Sequence, residues 1–66
     1  MASVLARVLV TADRIDWVIA QADGALQWLG DAIPADVRSA YLLHSRPALV
    51  RWASDLRGAI DGRQSA

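Results

Sequence analysis

Few side chains in this sequence have the types and spacing that chemistry requires. His44 is the single histidine, and the chain has no cysteine. Zinc sites combine several thiolate, imidazole or carboxylate ligands, so a site at His44 would need aspartates from distant turns. The sequence therefore predicts no metal site and no cofactor, and it places His44 at a helix end or in an interface.

Two other arrangements resemble groups that do acid–base or nucleophilic chemistry. Asp13 and Asp16 are three residues apart, so a helix would bring both carboxylates to one side. The alternative is that both lie in water on the flank of a helix. Ser45 has His44 as its neighbouring base, but adjacent helical residues point about 100° apart, which disfavours proton transfer. We therefore expect a protein that is not an enzyme.

The composition describes a small, apolar domain without net charge. Its 66 residues are 55% hydrophobic, and seven basic and seven acidic residues leave a formal net charge of zero. A chain near the lower size limit for an unaided core, with no disulfide available, often completes that core against another chain. Zero net charge disfavours binding to nucleic acid through bulk electrostatics. Arg without Lys, beside much Ala and Val, is typical of a bacterial or phage genome rich in GC.

The longest uncharged windows, such as residues 17–22, are short. A membrane-spanning helix needs roughly 18 to 20 apolar residues, and the first residues do not resemble a cleavable signal. We therefore expect a cytoplasmic protein, with a membrane an improbable partner.

The first half of the chain has the apolar spacing of one long helix, from Val4 to Leu29. Ser3 is suited to cap its amino end. At about 100° per residue, the apolar residues form one stripe that should face a core. The stripe contains Val4, Leu5, Val8, Ala12, Ile15, Val18, Ile19, Ala22, Leu26 and Leu29.

A second apolar stripe lies on another side of the same helix. Trp17 and Trp28 are three turns apart and project within about 20° of each other, and Val10 lies on the same side. Trp is favoured at interfaces because it buries a large rigid surface while its N–H still finds an acceptor. We predict that these residues, with Gln21 and Gly24, form an interface with a protein partner or a second copy. The alternative is that the second half of the chain covers both rings.

The second half of the chain predicts a return arm with one interruption. Gly30 is suited to a left-handed C-cap, and Pro34 to the first turn of the next helix. Pro47 disfavours helical geometry at Arg46 and removes a backbone hydrogen bond, so a turn or sharp kink is expected, with Ser45 capping the last helix. The apolar positions of the arm are Val37, Ala40, Tyr41, His44, Leu49, Ala53, Leu56 and Ile60, with Trp52 beside them.

Opposite charges four residues apart predict the exposed side of the last helix. Arg51 precedes Asp55 and Arg57 precedes Asp61 at this spacing, and such pairs meet on a helix surface. The helix is expected to reach about Ile60 and to end at Gly62.

These elements predict one all-α domain, residues 1–62, followed by a frayed polar tail, residues 63–66. The favoured architecture is a helical hairpin of two to three helices, with the second arm kinked at Pro47. Two such hairpins would pair into a four-helix bundle. The alternative is a compact three-helix domain, which the length of the opening helix disfavours.

Residues 40–52, AYLLHSRPALVRW, resemble the turn and recognition helix of bacterial helix-turn-helix proteins. That family commonly runs A-x-L-L-G-V-S-R-P-T-L-x-R-W. The resemblance implies DNA binding by 40–57, with Arg46, Ala48 and Arg51 in the major groove and Ser45 near a phosphate. Here His44 replaces the usual glycine, and the apolar residue before the serine is missing.

Two shorter stretches resemble other families of small helical proteins. Trp28-Leu29-Gly30, at the expected bend, is similar to the Trp-x-Gly tripeptide of helical-hairpin proteins exported by type VII systems, which implies a dimeric four-helix bundle. Residues 15–18 and 26–29 are similar to Trp-containing helices of leaderless bacteriocins, which implies membrane activity. Those peptides are rich in Lys, as attraction to anionic lipid requires, whereas this chain is neutral.

The sequence therefore predicts a small, non-enzymatic helical protein that acts by protein–protein contact. It would form a homodimer or dock as a subunit on a larger partner through the stripe that contains Trp17 and Trp28. A helix-turn-helix protein that binds nucleic acid is the alternative, and a membrane-active peptide is the further alternative.

Overall fold

The computed structural model describes residues 3–65, and the side chains as far as Gly62. The elements, in chain order, are α1 (Val4–Leu29), a 3₁₀ turn (Gly30–Ala32), α2 (Ala35–Ala40), a π-helical segment (Tyr41–Ser45) and α3 (Arg46–Ser65). The last three elements follow one another without a break and form a single arm that packs against α1. The predicted all-α helical hairpin is confirmed.

The helix α1 begins where the sequence predicts. Ser3 is extended, with φ −67° and ψ 163°, and its Oγ accepts a hydrogen bond from the N–H of Ala6 at 3.1 Å. This bond satisfies one of the amide groups that a helix leaves without an internal partner at its amino end. The helix then continues through Gly24 to Leu29 without interruption.

Gly30 makes the bend possible. Its φ is +52° and its ψ is −122°, a conformation that side chains with a Cβ rarely adopt. The positive φ agrees with the prediction, but ψ lies outside the left-handed helical region that was expected. The N–H of Gly30 donates to the carbonyl of Leu26, and the N–H of Ile33 donates to the carbonyl of Gly30 at 3.3 Å. Pro34 then directly precedes α2.

The expected turn at Pro47 is wrong, because the chain remains helical there. Arg46 has φ −61° and ψ −50°, and its N–H donates to the carbonyl of Tyr41, five residues earlier. In an α-helix the proline ring would collide with the carbonyl of Leu43 and would leave that carbonyl without its N–H donor. The wider π turn immediately before Pro47 accommodates the ring. Ser45 therefore lies inside the arm instead of capping a new helix.

The end of the arm also differs from the prediction. The helix α3 passes Ile60 and Gly62 and continues to Ser65. Most of the predicted polar tail, 63–66, is thus helical in its backbone, and residue 66 lies outside the described residues.

The core is a narrow seam between α1 and α3. Its buried residues are Ala12, Ile15, Ile19, Ala53 and Ile60. Leu49 and Leu56 pack against this seam and are half-buried. Of the long predicted stripe, Val4, Val18 and Leu29 remain exposed, because one neighbouring helix covers only part of a wide apolar side.

The hairpin is elongated. Its principal extents are 48 × 22 × 13 Å and its radius of gyration is 15.0 Å. A compact chain of this length has a radius of gyration of about 11 Å. The two helices form one layer, and a single layer cannot enclose a large core.

Candidate functional site

The tryptophan stripe, defined as Val10, Trp17, Gln21, Gly24 and Trp28, lies on the outer side of α1. Trp17 is 64% exposed and Trp28 is 85% exposed. Val10, Gln21 and Gly24 are exposed as well. The alternative interpretation, in which the second arm covers both rings, is therefore wrong for the hairpin itself.

The stripe alternates bulk with open space. A Cβ added at Gly24 would meet no atom within 4 Å, so the backbone of α1 is accessible between the two rings. Near the start of the helix, a shallow depression of about 400 Å³ is lined by Ala6, Arg7, Val10, Thr11 and Arg14. Large rings that alternate with accessible backbone form the ridges and grooves into which another helix packs.

A polar cluster joins the two arms on another side of α1. The hydroxyl of Tyr41 donates to Asp23 Oδ1 at 2.8 Å, and Arg46 Nε lies 3.1 Å from both carboxylate oxygens of Asp23. Burial raises the pKa of Tyr41, and its hydrogen bond to Asp23 raises that pKa further. Asp23 lies in the core-facing half of α1, so these partners compensate for its lost hydration.

The residues of the helix-turn-helix alternative are not brought together as that motif requires. All of 40–57 is helical, whereas the motif needs a turn between two angled helices. Arg46 contacts Asp23 across the hairpin, while Ala48 and Arg51 are exposed on α3. At helical spacing Arg46 and Arg51 point about 140° apart. Ser45 is exposed within the π segment.

The carboxylates of Asp13 and Asp16 share one arginine from the other arm. Arg57 Nη2 lies 2.8 Å from Asp13 Oδ1 and 2.6 Å from Asp16 Oδ2. These contacts raise the pKa of Arg57, chiefly through the hydrogen bond to Asp16. Arg57, which was expected to face Asp61 within α3, therefore also bridges to α1. The arrangement is an interhelical ion pair on an exposed surface.

Arg38 has a structural role at the end of α1 that the sequence does not predict. Its Nη2 donates to the carbonyl of Gly30 and lies 3.5 Å from the carbonyl of Leu26. A cation there offsets the partial negative charge of carbonyls at the end of α1. The signal in the sequence was weak, because an arginine eight residues after Gly30 reaches it only once the chain has turned.

The remaining candidate chemistry is sparse in the part of the chain that the structure describes. His44 is exposed, and no group of three or more histidine or aspartate side chains in this part could hold a metal ion. None of the helices described is long and apolar enough to cross a membrane.

Comparison of the chain with protein-family models, with curated proteins and with solved structures gave no match. The function must therefore be inferred from the surfaces of the hairpin itself.

Proposed function

We propose that this chain is a non-enzymatic protein-contact module whose partner, a larger protein or another copy, binds the tryptophan stripe of α1. The observation that carries the proposal is the exposure of Trp17 and Trp28, 64% and 85%, on one side of one helix. The hairpin has no further element that covers either ring among its described residues.

The energetics favour a protein partner for this stripe. Each indole that leaves water contributes through its large apolar area, and truncation of such an anchor often costs at least about 2 kcal/mol of binding free energy. The polar rim is also suitable, because Arg7, Asp13 and Arg14 border the stripe with both signs of charge. Mixed rim charges select among protein surfaces. The chain as a whole has no net charge, so bulk electrostatics give no net attraction to a polyanion.

The test replaces both anchors and measures association separately from folding. Trp17→Ala with Trp28→Ala should weaken association at least about 30-fold, read by sedimentation across a concentration series and by capture of partners from the native host. Helicity, read by circular dichroism, should stay near that of the unaltered chain, because neither ring lies in the core.

The matched control is Leu42→Ala with Leu43→Ala, which removes two other exposed apolar side chains. The control should keep both helicity and association. If the double tryptophan variant retains every association of the unaltered chain, the stripe is not an interface. If helicity and association fall together, the rings belong to the fold and the proposal fails.

A further inference from the structure

We infer that the protein bound by the tryptophan stripe presents an acidic helix, with two carboxylates on the side that lies along Arg7 and Arg14. These two arginines of α1 are called the arginine edge. The inference rests on the proposed function and deepens it, because it gives the chemistry of the partner that the stripe binds.

The arginine edge borders the tryptophan stripe along the first half of α1. Arg7 is three residues before Val10 and Arg14 is four residues after it, so both project within about 60° of Val10 and on the same side of it. The shallow depression of about 400 Å³ is lined by both arginines together with Val10. A partner that covers Val10 therefore also lies against both arginines.

The second arm neutralises the acidic side chains of α1 but not the basic ones. Every aspartate of α1 contacts an arginine of the second arm; these aspartates are Asp13, Asp16 and Asp23. Arg7 and Arg14 are exposed, and among the side chains that the structure describes neither takes part in an ion pair. The charges of α1 that the hairpin leaves without a counter-ion are thus both positive, and both belong to the arginine edge.

The desolvation of these two arginines selects the chemistry of the partner. A protein that covers the stripe removes water from the guanidinium groups beside it, and a charge that loses water is costly unless it is paired. A carboxylate accepts two parallel hydrogen bonds from a guanidinium group, so acidic side chains compensate both arginines. A second copy is a poorer occupant, because it brings two more arginines to the same surface and its Asp13 already contacts its own Arg57.

The spacing of the arginine edge and the stripe indicates that the partner is a helix. Together they alternate by three and four residues along α1, which is the spacing of the seam in left-handed helix pairs. The seam is about 32 Å long at 1.5 Å per residue, and its members are Arg7, Val10, Arg14, Trp17, Gln21, Gly24 and Trp28. The arginines are one heptad apart, so we expect the two carboxylates of the partner helix to be seven residues apart. The rest of its seam should be apolar, to pack against the indole rings.

The probe is a synthetic four-heptad helical peptide with leucine at its seam positions, made in three forms. The forms differ only at two seam positions seven residues apart, which are both Glu, both Gln or both Lys. The hairpin should bind the Glu form at least about 10-fold more tightly than the Gln form, and the Lys form most weakly, because like charges would meet in that complex. Fluorescence anisotropy of labelled peptide, kept dilute to prevent its self-association, measures the three dissociation constants. Added salt should reduce the difference between the forms.

A charge reversal in the hairpin tests whether the arginine edge causes this preference. Arg14→Glu should weaken binding of the Glu form about 10-fold or more and should strengthen binding of the Lys form. The matched control is Arg51→Glu, which reverses an exposed arginine of α3 and should change each dissociation constant less than about 2-fold. Circular dichroism should show the helicity of the unaltered chain in both variants.

The inference is overturned if the Glu form does not bind, if the three forms bind equally, or if Arg51→Glu has the same effect as Arg14→Glu. It is also overturned if the hairpin binds phosphatidylglycerol vesicles through Arg14 and shows no preference among the peptides, since the arginine edge would then serve an anionic lipid surface.

Trp17→Ala with Trp28→Ala distinguishes a failure of this inference from a failure of the proposed function. Equal binding of all three peptides that this double variant abolishes would keep the stripe as an interface and remove the preference for an acidic partner. Binding of the Glu form that the double variant leaves unchanged would instead remove the stripe as the interface, and the proposed function would fail. Self-association of the hairpin through its other exposed side chains is measured separately and affects neither result.

Discussion

Asp23 is a charged residue on a side of α1 that otherwise packs against the second arm. Its carboxylate accepts hydrogen bonds from the hydroxyl of Tyr41 at 2.8 Å and from Arg46 Nε at 3.1 Å. The cluster is half-buried, so the bonds replace part of the hydration that the carboxylate loses. Its three residues come from α1, the π segment and the first turn of α3. The cluster therefore specifies where the second arm lies along α1.

Tyr41 should make the stability of the hairpin fall at alkaline pH. Its folded pKa is above the usual value of 10 because of burial and the bond to Asp23. The neutral phenol is therefore the favoured form in the fold, and its contribution to stability is complete below pH 10 and is lost as pH rises through the folded pKa. The chain has one tyrosine, no lysine and no cysteine. Tyr41 is thus the one side chain that titrates between about pH 9 and 12.

Urea denaturation at a series of pH values, with tyrosinate absorbance recorded in parallel, measures this effect. The free energy of unfolding should be flat from neutral pH to about pH 10 and should then decrease. Tyr41→Phe should be less stable at neutral pH, but it should lack the alkaline decrease. A decrease of the same size in both proteins would show that the phenol is not responsible.

At the scale of the elements, Gly24 within α1 and Gly30 at the bend should respond in opposite ways to replacement by alanine. Gly30 has a φ of +52°, so alanine there should lower the free energy of unfolding by about 1 to 3 kcal/mol. Gly24 lies in the helix with open space around it. Alanine there should raise the free energy of unfolding by up to about 1 kcal/mol. Thermal and urea denaturation of the two variants measure both signs.

Gly24→Ala also separates stability from binding. If the tryptophan stripe is an interface, the added methyl group should weaken association while the isolated hairpin becomes more stable. Equal or tighter association would mean that no partner approaches the backbone at Gly24. A stabilised Gly30→Ala variant would contradict the role of positive φ at the bend.

The π segment decides which side of α3 meets α1. A π-helical hydrogen bond joins residues five apart, whereas an α-helical one joins residues four apart. The segment therefore rotates every later residue of the arm relative to α2. Arg46 consequently reaches Asp23, and Ala53 and Ile60 lie in the core. Pro47 thus acts through the turn that precedes it, without ending the helix.

At the scale of the whole molecule, the hairpin is elongated and leaves many large apolar side chains exposed. A radius of gyration of 15.0 Å and a narrow core leave large side chains of both arms in water. Those that are at least two-fifths exposed include Val4, Leu9, Val10, Trp17, Val18, Trp28, Leu29, Val37, Leu42, Leu43, Val50 and Trp52. Large exposed apolar patches mark interaction sites, so we expect part of this surface to be covered by another chain.

The melting temperature should therefore depend on protein concentration. When a folded dimer unfolds to two chains, a tenfold increase in concentration should raise the midpoint by roughly 3 to 6 °C. Differential scanning calorimetry across a hundredfold range of protein concentration measures this shift. A midpoint that does not change with concentration in the unaltered chain would mean that the hairpin is stable alone.

Local spacing was enough to determine α1, its cap at Ser3, the bend at Gly30 and the hairpin, because helical periodicity and backbone preference act over a few residues. The phase of Trp17 and Trp28 placed both rings on one side of α1, but whether the second arm covers them was decided only by the tertiary structure. The sequence could not determine that Pro47 would be absorbed by a π turn, since α-helical and π-helical hydrogen bonds differ in register by one residue. Nor could it pair Asp23 with Tyr41 and Arg46, or Arg57 with α1, because those contacts depend on how far the returning arm is shifted along the first. Only the tertiary structure decided that shift, through the packing of Ile15, Ile19 and Ala53.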